Sequence, residues 1–67
     1  MKYRTFVNDP IVGTFWIIVD DLSRTWMTDP PGKQVREALI GLYFQPEDGG
    51  PGKDFDIFPD GRAYFWD

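Results

Sequence analysis

The sequence predicts an α+β fold: a mainly antiparallel sheet of four or five strands with one helix packed across it, in the order β-β-β-α-β-β. Three stretches carry that prediction. Residues 11–19 form a dense run of β-branched and aromatic side chains, the residues after "TDPPGKQ" repeat apolar positions at helical spacing, and "DFDIFPDGRAYFWD" at residues 54–67 sets two aromatic runs around one tight turn. The 67 residues make a single domain (1–67), near the lower size limit for a core without disulfides or metal.

Residues 2–7, "KYRTFV", read as a strand stopped by Asn8-Asp9-Pro10. Residues 11–19 are the strongest strand, with Ile11, Phe15, Ile17 and Val19 on one face and Val12, Thr14, Trp16 and Ile18 on the other. A strand apolar on both faces belongs in the middle of a sheet. Asp20-Asp21-Leu22-Ser23 then reads as a turn, and residues 24–28 as a short antiparallel strand bearing Trp26.

Asp29 has the chemistry of a helix N-cap and Pro30 that of the first helical position, where a missing N–H costs nothing. Val35, Ala38, Leu39, Leu42 and Tyr43 follow at i, i+3, i+4, i+7 and i+8, one apolar stripe of a helix, with Lys33, Gln34 and Glu37 turned to water. Ile40 and Phe44 lie off that stripe and call for a second packed element or a surface patch. "QPEDGGPGKD" ends the helix as an acidic loop.

Pro59-Asp60-Gly61 makes a hairpin turn, with Gly61 in the left-handed position of a bulge. That turn sets Phe58 opposite Arg62, Ile57 opposite Ala63, Asp56 opposite Tyr64, Phe55 opposite Phe65 and Asp54 opposite Trp66. Phe55, Ile57, Ala63 and Phe65 then share a wholly apolar inner face. The outer face carries Asp54, Asp56, Phe58, Arg62, Tyr64 and Trp66, where aspartates keep an aromatic strand pair soluble.

Composition narrows the function. The chain has no Cys and no His, so it lacks disulfides, thiol nucleophiles, the usual general base near neutral pH and the commonest transition-metal ligand. No catalytic residue, metal site or cofactor is expected. Asp54, Asp56 and Asp60 depart from calcium-loop spacing, "GGPG" lacks the spacing of a phosphate-binding loop, and Ser23 has no histidine partner. The longest apolar run, residues 15–19, is far short of the roughly 20 a membrane span needs, and the start has no secretory pattern. A cytoplasmic, non-membrane protein is expected.

The net charge of −4 disfavours direct nucleic-acid binding and favours a basic partner surface. Twelve aromatic residues, six Phe, three Tyr and three Trp, exceed what so small a core needs, so some should face solvent and mark an interface. The candidate partner-binding residues are Asp54, Asp56, Phe58, Asp60, Tyr64 and Trp66 of the hairpin, with the acidic clusters Asp20-Asp21 and Glu47-Asp48. In size, acidity and lack of Cys the chain resembles phage-encoded inhibitors of host defence, including nucleic-acid mimics and anti-CRISPR proteins. That resemblance implies an inhibitor whose carboxylates occupy a basic, nucleic-acid-binding site of a larger protein. The alternative is a structural or adaptor module that binds, or dimerises, through an exposed strand edge or aromatic patch.

Overall fold

A computed structural model describes residues 1–65. It contains six strands: β1 (Lys2–Asp9), β2 (Gly13–Asp20), β3 (Thr25–Asp29), β4 (Leu39–Pro46), β5 (Lys53–Ile57) and β6 (Ala63–Phe65). They form one antiparallel sheet in the order β3-β2-β1-β4-β5-β6, curled into a half-barrel, and no helix occurs among the described residues. The fold is therefore all-β, and the expected α+β architecture with its helix is overturned.

The correction falls on one segment. Residues 30–38 have no regular structure, and the apolar stripe expected to be helical enters β4 instead. The reason is a β-bulge: Leu39 pairs with Ile57 but Leu42 with Phe55, so three residues of β4 span two of β5. Gly41 sits in the bulge with φ of 67°, a left-handed conformation that glycine adopts freely. A strand interrupted by one extra residue brings positions three apart to the same side, which imitates helical spacing. Leu39 and Leu42 both pack against the core for that reason. Asp29 is the last residue of β3 and caps no helix. Thr28 organises the chain beyond it, its hydroxyl donating to the Pro30 carbonyl at 2.9 Å and accepting from the Lys33 N–H at 3.1 Å.

The first three strands follow the sequence more closely. β1 and β2 pair from Lys2↔Asp20 to Asp9↔Gly13, and β2 lies between β1 and β3 as its two apolar faces require. Phe15, Ile17 and Val19 point inward and are buried. Ile11, expected on the same face, lies instead in the β1–β2 turn, 74% exposed. That turn is tied by Asp9, whose Oδ1 accepts from the Ile11 and Val12 N–H groups at 2.7 and 2.9 Å.

The closing hairpin adopts the expected register, with Phe55↔Phe65, Asp56↔Tyr64 and Ile57↔Ala63. Gly61 has φ of 96°, and the Phe58 N–H donates to the Arg62 carbonyl at 3.0 Å. The expected pairing of Asp54 with Trp66 lies outside the described residues.

Phe55 is the hub of the core, in ring contact with Tyr3, Phe44 and Phe65 at centroid separations of 5.2, 5.3 and 5.9 Å. Around it the sheet curls until its two outermost strands approach. The Trp26 N–H donates to the Gly61 carbonyl at 3.1 Å and the Ala63 N–H to the Arg24 carbonyl at 2.9 Å, with a bridge between Thr25 and Arg62. A curled antiparallel sheet can fill its inside with side chains and leave its outside to solvent.

Candidate binding surface

Alternation along β5 and β6 places the expected hairpin residues, with one exception. Phe58 and Tyr64 meet edge to face at 5.6 Å on the outer side, and Tyr64 is 41% exposed. Arg62 joins them: a hydrogen bond with the Tyr64 side chain, and then the Asp60 carboxylate, hold its pKa above the ordinary value. Its Nε lies 3.2 Å from Asp60 Oδ2. Asp54 is exposed on β5 opposite Tyr43.

Asp56 departs from expectation. It was placed with the solvent-facing aspartates, yet it is only 7% exposed, and its Oδ1 accepts the Gly41 N–H at 2.8 Å. The bulge in β4 turns that N–H away from the ladder and towards the carboxylate. Asp56 therefore serves the fold. Trp66 lies outside the described residues.

The acidic clusters Asp20-Asp21 and Glu47-Asp48 come to one end of the sheet, on either side of the chain start. Asp20 pairs with Lys2 across β1–β2, while the Glu47 N–H donates to the Lys2 carbonyl at 3.1 Å. Several of these carboxylates are engaged locally. Asp21 lies 3.0 Å from the Met1 ammonium, and Oδ1 atoms of Asp20, Asp48 and Asp60 accept backbone N–H groups of their own turns at 3.0 to 3.1 Å. Such turn-shaping bonds occupy one oxygen of each carboxylate, and Asp60 engages its second with Arg62.

A different surface was missed. The outer face of β1, β2 and β3 carries Phe6, Trp16, Ile18 and Met27, with Phe6 54% and Met27 59% exposed. The Phe6 and Trp16 rings meet edge to face at 5.0 Å, and the Arg4 guanidinium lies 4.8 Å from the Trp16 centroid. Trp16 and Ile18 did signal an apolar second face of β2, but Phe6 and Met27 join them only through the strand registers. No element covers the ridge among the described residues.

The same residues contain no cluster of three or more acidic side chains able to hold a metal ion. A cleft of about 500 Å³ lined by Asp9, Arg36, Glu37 and Leu39 opens where β4 leaves β1, and Arg36 offsets one of its two carboxylates. No helix among the described residues is long and apolar enough to cross a membrane. The chain matches no protein-family model, no curated protein and no solved structure.

Proposed function

We propose that this chain is a small cytosolic binding module that docks on a larger protein through the outer face of β1–β3, without catalysing a reaction. The observation that carries this reading is the uncovered Phe6–Trp16 pair, extended by Ile18 and Met27. Aromatic side chains have few rotatable bonds to immobilise on binding and bury a large apolar area, and a flexible methionine beside them can adapt to a partner's contours. The test compares wild type with a Phe6→Ser, Met27→Ser variant of unchanged circular dichroism, each used to capture partners at low and high salt. Loss of a partner that resists salt in the wild type is expected. A variant that keeps every partner overturns the reading.

A second reading rests on the acidic end, where Asp20-Asp21 and Glu47-Asp48 flank Lys2. Here the chain is an inhibitor whose carboxylates occupy the basic, nucleic-acid-binding site of its target, with Asp54, Asp60 and Tyr64 as further contacts. Its signature is steep weakening with salt. Asp20→Asn with Glu47→Gln would then release the partner, whereas the apolar ridge predicts little change.

A further inference from the structure

The divergence of β1 from β4 leaves part of each strand without a neighbour. The Asp21 N–H donates to the Met1 carbonyl at 3.3 Å and the Glu47 N–H to the Lys2 carbonyl at 3.1 Å. Main-chain groups of successive residues in an antiparallel strand point to opposite sides. Tyr3, Thr5, Val7 and Asp9 therefore bond towards β2, while Lys2, Arg4, Phe6 and Asn8 present their groups towards β4. The β1–β4 ladder stops at Arg4↔Gln45. Beyond it, no backbone bond among the described residues reaches Phe6 or Asn8 from that side, and both residues are exposed. On β4, the same alternation turns the main chain of Tyr43 to this split, and the bulge gives the Gly41 N–H to Asp56.

We infer that an extended peptide segment of a partner protein enters this split and adds to the free edge of β1 as a further strand. The open N–H and C=O groups of a strand are complementary to another extended backbone, and sheets take up peptides by that route. The flanks suit a strand as well. Exposed Phe6 stands on one side and exposed Ile40 and Tyr43 on the other, so outward side chains of the added strand meet apolar neighbours. Its inward side chains meet Val7 and Leu39, which are only partly buried against the core. At the far end, the cleft lined by Asp9, Arg36, Glu37 and Leu39 gives the added chain a way out. The occupant is thus a proline-free stretch, apolar or β-branched over the residues that lie in the split. This goes beyond docking on the outer face of β1–β3, which needs side chains alone, whereas strand addition needs the main-chain edge of β1.

Proline tests that requirement. Asn8→Pro removes an N–H that faces the split and leaves the β1–β2 ladder of the odd-numbered residues whole, while Asn8→Ala keeps the N–H. Amide hydrogen exchange is followed by NMR on wild type and both variants. Each is measured alone, with a blocked heptapeptide of alternating valine and threonine between terminal lysines, and with the same peptide carrying a central proline. In free wild type, the Phe6 and Asn8 amides are expected to exchange at least about tenfold faster than those of Thr5 and Val7. The alternating peptide at saturation should slow them at least about tenfold, and the proline peptide should not. Asn8→Ala should respond as wild type does, and Asn8→Pro should gain no protection at Phe6. Phe6 and Asn8 amides as protected as Thr5 and Val7 in the dilute free chain, or an alternating peptide without effect up to about 1 mM, would overturn the inference. Protection that rises with the chain's own concentration and without peptide assigns the edge to a second copy, and overturns it too. Should Asn8→Pro lose the protection of Thr5 and Val7, the strand itself has come apart, and the two peptides on wild type and Asn8→Ala decide.

Discussion

The indole Nε1 of Trp26 donates a hydrogen bond to the main-chain carbonyl of Phe58 at 2.7 Å, across 32 residues of sequence. The bond runs beside the backbone contacts that join the β3 end of the sheet to the β5–β6 turn. One side chain thus holds the two outer edges of the sheet together.

Trp26→Phe keeps most of the ring and removes the donor, leaving the Phe58 carbonyl without this partner. A loss of about 1 kcal/mol in urea unfolding is expected, and Trp26→Ala should cost more because it also opens a gap against the core. Equal midpoints for wild type and Trp26→Phe would show that the hydrogen bond contributes nothing net.

Asp56→Ala should destabilise by about 2–3 kcal/mol, since it strips the Gly41 N–H of its acceptor and removes a buried carboxylate that the fold surrounds. Asp56→Asn keeps a carbonyl oxygen and should cost less. Denaturant midpoints for the pair test this, and an alanine variant as stable as wild type would mean that the bulge needs no side-chain acceptor.

Gly52 lies under Tyr43, and a methyl group there would collide with the Tyr43 hydroxyl and the Phe44 carbonyl oxygen. Gly52→Ala should therefore lose about 1–3 kcal/mol. Combining it with Tyr43→Phe should recover only part of the loss, because the clashes with the ring carbon Cζ and with the main-chain oxygen remain. Full recovery would place all of the strain on the hydroxyl.

Asp9 supplies a pH-dependent contribution. Backbone N–H groups of Val12 and Ile11, more than the nearby Arg36 charge, lower its pKa below the ordinary 3.8. A carboxylate depressed in the folded state stabilises above its unfolded pKa, and the benefit disappears as pH falls through the folded value. Asp9→Ala should thus melt below wild type near neutral pH, and the gap should narrow as acid protonates the carboxylate in the folded state. A gap that stays constant through acid titration would show that the aspartate acts by something other than its charge.

The hairpin was the most legible part of the chain because Pro59-Asp60-Gly61 prescribes both the turn and the register, leaving alternation to sort the faces. β4 was the least legible. Its bulge at Gly41 gave Leu39 and Leu42 a three-residue spacing, and Asp29-Pro30 supplied a false start signal just before it. Phe6 and Met27 join Trp16 in one outward row only through the β1–β2 and β2–β3 registers, and Asp56 reads as solvent-facing because nothing in the hairpin alone reveals the Gly41 N–H that claims it. The acidic clusters were legible as residues, but their meeting beside Lys2 depends on the distant β1–β4 pairing of Tyr3 with Pro46 and Arg4 with Gln45, which the sequence does not encode locally.

β1 and β4 pair only at Tyr3↔Pro46 and Arg4↔Gln45 before they separate. The sheet is in effect two three-strand meanders, each built from neighbours in sequence, joined by that short ladder and by the contacts around Trp26. Meanders of this kind form quickly, whereas closing distant segments is slower. The amides of Trp26 and Ala63 are therefore expected to exchange with solvent at a lower free energy than the amides inside either meander, a difference that native-state hydrogen exchange would read. Such an opening would turn about the short β1–β4 ladder like a book about its spine, with Phe55 and Ile57 on one page and Ile17 and Val19 on the other.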